Sequence, residues 1–159
     1  MWGGKDWPPP AYSPKTRLFY IPANENLCQA FAGEPVTYTP GQRYTGVNTA
    51  SLVFSVAPGA EYIGELQAWN LDTGQKVWSH PFGNSQLWGP VLATAGGVLF
   101  AGGTNDRYFR AFDASNGKVL WEFRTGSGVT GVPVSFQIDG KQYVAIAAGH
   151  AIFAFGLRE

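Results

Sequence analysis

The sequence has only one cysteine and two histidines. Cys28 alone can neither close an internal disulfide nor form a paired-cysteine metal site, and His80 and His150 lie far apart with no third ligand beside either. Cys28 therefore reads as a small buried hydrophobe. Both histidines read as structural or surface residues, because neither has a carboxylate or nucleophile at a catalytic spacing. Charge is also scarce. Eleven basic residues balance eleven acidic ones, charged residues make up only 14% of the chain, and no basic run is present. Electrostatic capture of nucleic acid or anionic lipid is excluded on that ground. No apolar stretch approaches the length of a membrane span; Val144 to Ala148 and Ala151 to Leu157 are strand-length. The opening M-W-G-G-K-D-W-P-P-P lacks a basic segment followed by an apolar one, so no secretory signal is expected in it. A phosphate loop is missing too, since Gly96-Gly97 and Gly102-Gly103 lie beside strand hairpins and lead into no helix. Ser127, in T-G-S-G-V, lacks the spacing of a hydrolase nucleophile elbow.

What the chain does have is apolar bulk and punctuation. Hydrophobic residues make up 45% and aromatics 15%, enough for a substantial core. The 21 glycines and 11 prolines are dispersed, which favours many short strands joined by turns and an all-β fold. A repeat organises them. Residues 68–78, A-W-N-L-D-T-G-Q-K-V-W, align without gaps on residues 111–121, A-F-D-A-S-N-G-K-V-L-W, 43 residues on. That period is the size of a four-stranded propeller blade. In each copy a strand meets a turn where Asn70 or Asp113 can accept backbone N–H bonds. Gly74 and Gly117 stand where the hairpin needs a positive φ. The next strand carries Trp78 or Trp121, an indole suited to lying between neighbouring sheets.

The expected architecture is a partial β-propeller of three to four four-stranded antiparallel blades within one unit, residues 1–159, with an insertion loop at about 33–48. Val91 to Thr94, Val98 to Ala101, Tyr108 to Phe112 and Lys118 to Phe123 make one blade. Val132 to Ile138, Gln142 to Ala148 and Ala151 to Leu157 make a last one without its outer strand. Leu52 to Val56, Gly64 to Trp69 and Lys76 to Phe82 are expected in a preceding blade, and Leu18 to Pro22 with Leu27 to Phe31 in an earlier one. An open arc exposes strand edges, so pairing with missing N-terminal blades, or self-association, is expected.

These residues resemble a known family. The repeat A-x-[DN]-x-x-[TN]-G-x-x-x-W is similar to the tryptophan-docking motif of the eight-bladed, pyrroloquinoline-quinone (PQQ)-dependent alcohol and methanol dehydrogenases. Gly3 to Pro9, Phe19 to Cys28, Leu87 to Gly97, and Thr125 to Gly128 running on to Gly140 to Ala145 point the same way, in the family's order. The resemblance implies the C-terminal part of a periplasmic oxidoreductase that moves hydride from an alcohol or polyol to the quinone, with a cytochrome or quinone as acceptor. It also implies PQQ held with Ca²⁺ or a lanthanide. By position, Lys5-Asp6-Trp7 matches a stretch whose second residue reaches the quinone in its plane, and Trp88-Gly89 matches the rim of the cofactor pocket. Asp6, Trp7, Trp88 and Gly89 are thus the implied cofactor-binding residues, and Trp78, Trp121, Gly74 and Gly117 the structural docking residues. Asp6 stands where many members have Asn, and a carboxylate beside an anionic cofactor needs compensation from Lys5, an arginine or a proton. The family's metal ligands, catalytic aspartate and vicinal disulfide have no counterpart, so the chain alone is expected to be inactive. Alternatives are a non-catalytic propeller scaffold and a degenerate gene product without present function.

Overall fold

The computed structural model of the protein describes residues 4–157; Gly3 and the two ends of the 1–159 unit lie outside them. Among the described residues every regular element is a strand, and no helix is long and apolar enough to cross a membrane. In chain order they are β1 (Ala11–Ser13), β2 (Leu18–Ala23), β3 (Leu27–Gly33), β4 (Val47–Val56), β5 (Glu65–Asn70), β6 (Gln75–Pro81), β7 (Val91–Ala93), β8 (Val98–Ala101), β9 (Tyr108–Asp113), β10 (Val119–Arg124), β11 (Val134–Ile138), β12 (Lys141–Ala148) and β13 (Ala151–Gly156). They form four antiparallel sheets: β1-β2-β5-β6, β10-β9-β8-β7, β11-β12-β13 and the ribbon β3-β4. The chain is an open, partial β-propeller.

The 43-residue period runs further than the paired motif. Strands β7, β8 and β9 begin at Val91, Val98 and Tyr108, and β11, β12 and β13 begin at Val134, Lys141 and Ala151, each 43 residues later. The third sheet thus repeats the strand order and strand starts of the second but not its pairing: Val91 faces Ala101 while Val134 faces Ala145, and Ala101 faces Arg110 while Val144 faces Phe155.

Two strand assignments need correction. Leu18–Ala23 does not belong to an earlier blade; it pairs with β5, Phe19 opposite Trp69 and Ile21 opposite Gln67. Leu27–Gly33 and Val47–Val56 pair only with each other. Everything between Ala23 and Glu65 is therefore an excursion between the second and third strands of the first sheet. Alternating apolar residues in β4 make a strand, but alternation does not name the partner. Cys28 is corrected for the same reason. It is exposed on this ribbon rather than buried, because no sheet covers β3.

Alternation along the strands sends one set of side chains toward each neighbouring sheet. Leu18, Tyr20, Leu66 and Ala68 of the first sheet meet Val91, Leu99, Ala101 and Phe112 of the second. On the second sheet's other face, Phe109 with Phe100 and Leu92 meets Val144, Ile146, Phe153 and Phe155 of the third. Each fully buried Leu or Phe contributes about 1.5–3 kcal/mol, so the packed faces, not the ribbon, carry the fold.

His80 belongs to the first of these interfaces, with ring centroids 5.1 Å from Phe82 and 5.2 Å from Phe112. Burial, followed by repulsion from Arg110, lowers its pKa below the usual 6.5, against a bond with the Gly117 backbone that acts upward. The packed form is neutral. Its contribution is complete above pH 6.5 and declines as the pH falls from there toward the lowered native value, because the unfolded chain takes up the proton first. Denaturation midpoints recorded from pH 7.5 to 5 should fall, and His80→Gln should flatten that slope.

Candidate functional site

The antiparallel registers put the segments 4–10, 24–64, 82–90, 102–107 and 125–133 at one end of the sheets, where β2, β6, β8 and β10 finish and β1, β5, β7, β9 and β11 start. Asp6, Trp7, Trp88 and Gly89 all lie in this rim. Gly74 and Gly117 sit in turns at the opposite end.

The rim is tied together by Asn24, a buried residue. Its backbone exchanges two hydrogen bonds with Gly4, at 3.0 and 2.6 Å. Its side-chain Oδ1 accepts the Leu87 N–H at 2.8 Å, and the Val91 N–H donates to the Pro9 carbonyl at 3.2 Å. The segment bearing Asp6 and the segment bearing Trp88 are thereby fixed side by side. Asn24 falls within the family-like stretch Phe19 to Cys28, and its only local signal is a polar residue after a buried strand. Asn24→Ala should cost about 1–3 kcal/mol, the penalty for leaving the buried Leu87 N–H without an acceptor, measurable as a lowered urea midpoint.

Asp6 uses its Oδ1 locally, accepting the Trp7 N–H at 2.8 Å. The Lys5 ammonium donates to the carbonyls of Asp6 and Pro8, so its charge is spent on backbone oxygens. Trp7 is 58% exposed, while Pro8 after it is buried. Neither Asp6 nor Trp7 reaches the recess that forms around Trp88.

That recess is about 300 Å³ and is lined by Trp88, Gly103, Thr104, Asn105, Arg107 and the Gly128–Thr130 segment. Two crossing backbones build its floor. The Trp88 N–H donates to the Gly103 carbonyl at 3.1 Å. Gly89 lies so close to Gly102 that a Cβ would strike its carbonyl, and Gly103, at φ +92°, is equally close to Gly89. Only glycine permits this approach. Arg107 stands at φ +65°, unusual for a residue with a Cβ. It is held there because its carbonyl accepts both the Thr125 N–H, at 3.0 Å, and the Thr125 hydroxyl, at 2.9 Å, while its guanidinium donates to the Gly126 carbonyl at 2.9 Å.

Next to it, Arg110 is neutralised. It pairs with Asp106 and, at 3.2 Å, with Glu122, and lies 4.9 Å from the Tyr108 ring centroid. Burial would raise the Asp106 carboxyl, but hydrogen bonds from Arg110 and Thr104 outweigh it and hold the group below the ordinary carboxylate range. Arg107 is the cationic residue of the recess lining, and among the described residues it has no carboxylate partner. Residue identities do not disclose this. The recess thus combines an indole wall, hydroxyl and amide donors and one cation, a lining suited to a planar anionic ring. Among the described residues no group of three His, Cys, Asp or Glu is placed to hold a metal ion.

At the other end, the Trp78 indole N–H donates to the Ala114 carbonyl at 3.1 Å, and the Tyr20 hydroxyl donates to the same oxygen at 3.0 Å. A Cβ on Gly117 would lie 2.5 Å from the Trp78 ring. Gly74 has the same conformation, φ +67° against +74°, but a Cβ there would meet nothing within 4 Å. Trp121 sets its ring against Phe155, centroids 4.8 Å apart, and remains 37% exposed.

A family profile described as the glucose/ethanol/alcohol dehydrogenase β-propeller domain (PQQ) matches residues 1–144. The chain is 42% identical over 149 residues to a quinoprotein ethanol dehydrogenase of Pseudomonas aeruginosa, covering 93% of this chain and 23% of that one. It is 43% identical over 148 residues to a lanthanide-dependent methanol dehydrogenase of Methylorubrum extorquens, covering 92% of this chain and 24% of the relative. The solved structure of a europium-containing methanol dehydrogenase superposes with a TM-score of 0.79 at 39% identity, over 91% of this chain and 24% of that one. The chain spans about a quarter of the length of these relatives.

Proposed function

Because the chain belongs to the PQQ-dependent glucose/ethanol/alcohol dehydrogenase β-propeller family, we propose that it supplies one side of the cofactor site of a periplasmic quinoprotein that oxidises alcohols or polyols. Residues 1–159 form the C-terminal part of the ring in this reading. The remaining blades bring the catalytic aspartate and the ligands for Ca²⁺ or a lanthanide, and a cytochrome or quinone takes the electrons.

The observation that carries the proposal is the recess at Trp88. When bound, PQQ supplies the hydride acceptor. The protein's part here is to bind and orient it. Trp88 offers a flat apolar wall, and Gly89 and Gly103 let backbone come close without side chains intervening. Arg107 brings a positive charge to a tricarboxylate ligand. Asp6 is the awkward member: its carboxylate repels such a ligand, and Lys5 is committed elsewhere. Asp6 therefore contacts the cofactor only when protonated or when a cation is brought from the remaining blades. The same reasoning gives Trp78, Trp121, Gly74 and Gly117 their role as inter-blade docking positions.

Titrating the purified chain with PQQ, followed by tryptophan fluorescence, tests this. Trp88→Ala and Arg107→Ala should each weaken binding about tenfold, the loss of roughly 1.4 kcal/mol of contact; Asp6→Asn should strengthen it. Binding that is absent, or indifferent to all three changes, would remove the recess from the cofactor site.

A further inference from the structure

We propose that β4 is a dimerisation edge, which pairs antiparallel with β4 of a second copy of this chain about a twofold axis at Val53. The inference is independent of the cofactor reading above. Among the described residues β4 pairs with β3 alone, so one edge of a ten-residue strand keeps its N–H and C=O groups turned outward. Such an edge is ordinarily blunted by a charge, a proline or a short length. This one has none of them. No Asp, Glu, Lys or Arg occurs between Tyr44 and Ala60, β4 contains no proline, and β3 beside it is uncharged as well. The inner edge, by contrast, is finished. Where the register with β3 slips between Ala30 and Ala32, the Ser51 hydroxyl accepts the Ala32 N–H at 2.7 Å and donates to the Asn48 carbonyl at 2.6 Å.

The order of side chains along the strand says which partner the outer edge fits. Residues 50–56 read A-S-L-V-F-S-V, a chemical palindrome about Val53. Antiparallel pairing centred there sets Ser51 against Ser55, Leu52 against Phe54 and Ala50 against Val56, while Val53 meets its own copy. Every pair matches in polarity. A twofold interface demands this, because residue i meets residue j on one side of the axis and j meets i on the other. A strand of another polypeptide places no such demand on β4, so the palindrome selects a second copy as the occupant.

Pairing would also gather apolar surface. Alternation puts Leu52, Phe54 and Val56 on one face of β4 and Ser51, Val53 and Ser55 on the other. Leu52, Phe54 and Val56 are all exposed in the single chain. Across the axis the two Leu–Phe pairs become direct neighbours in one apolar stripe, the kind of cross-strand contact that stabilises a sheet. With no charge on either strand, no like charges meet there.

Sedimentation of the purified 159-residue chain tests the proposal. A monomer–dimer equilibrium is expected, and Val53→Lys, which sets two ammonium groups against each other on the axis, should weaken it at least tenfold. Val53 is 57% exposed, so this change should leave the fold of the single chain intact. Val53→Thr, neutral and β-branched, should keep the dimer. Val53→Glu should dissociate it as Val53→Lys does, and mixing those two variants at low salt should restore association. A nitroxide on Cys28, the sole cysteine and an exposed one, should report a separation of about 20 Å between copies, set by strand spacing and rise. A chain that stays monomeric overturns the inference. So does a dimer indifferent to Val53→Lys, because the other open edges of the arc do not contain that residue. Two charged variants that are each monomeric and do not pair when mixed overturn the twofold at Val53. If the charged variants do not fold, the Cys28 separation in the otherwise unchanged chain decides alone.

Discussion

Trp78→Ala is expected to destabilise the chain by about 3–5 kcal/mol, the range for truncating a packed tryptophan. The size follows from what the ring does. It covers Gly117, lies 5.8 Å from the Tyr20 ring, and shares the Ala114 carbonyl with the Tyr20 hydroxyl. Removing it leaves a gap between the two sheets, with the Tyr20 hydroxyl still bonded to the Ala114 carbonyl. Neighbouring sheets of a repeat protein are held chiefly by such interfaces, so the loss should also split a single urea transition into two. Trp78→Phe keeps most ring contact and loses the N–H bond, at about 1 kcal/mol. Trp121→Ala, at the equivalent position 43 residues on, should cost clearly less than Trp78→Ala, because that indole is partly exposed and makes ring contacts only. Equal costs for the two would contradict the assignment of Trp78 as the tie between the first and second sheets.

Gly103→Ala is the second large effect. A Cβ at this position would run into the Gly89 backbone, and the residue sits at φ +92°. Neither neighbour is a flexible side chain that can swing aside. The positive φ costs about 1–2 kcal/mol, and forced separation of the two backbones adds about 1–3 kcal/mol. Gly89→Ala shares the second cost without the first. Gly96→Ala is the control, with ordinary φ and only the Thr94 hydroxyl within 4 Å; it should change stability by no more than about 0.5 kcal/mol. Urea midpoints of the three variants order the effects, and for Gly103→Ala and Gly89→Ala the recess at Trp88 should deform, so PQQ quenching should weaken as well. A Gly103→Ala protein as stable as Gly96→Ala would mean that the two rim segments do not touch.

What could be foreseen was what local pattern encodes. The turn at Asn70–Gly74 and its copy at Asp113–Gly117 are written in Asx, Gly and Trp at fixed offsets, and the strands flanking them alternate plainly. Pairing across a long gap was not legible: β2 and β5 are neighbours although about 40 residues separate them, and Leu52, Phe54 and Val56 look as much like a blade strand as Leu66 and Ala68 do. Hence Cys28 was expected inside and is found outside. The continuation of the period into β11, β12 and β13 was also hidden, because the strand starts keep their spacing there while side-chain identities diverge. In the rim, Trp88 and Gly89 were visible only through family resemblance. Asn24 and Arg107 act through a buried amide acceptor and a strained backbone, properties that a residue type does not announce.

The most direct measurement is alcohol-dependent dye reduction by the purified 159-residue chain supplied with PQQ and either Ca²⁺ or La³⁺, with ethanol as substrate. No turnover above the protein-free blank is expected if, as proposed, this portion contributes binding surface and the remaining blades bring the groups that abstract the proton and hold the metal. Sustained turnover abolished by Trp88→Ala would contradict that division, and would place a complete catalytic centre within these residues.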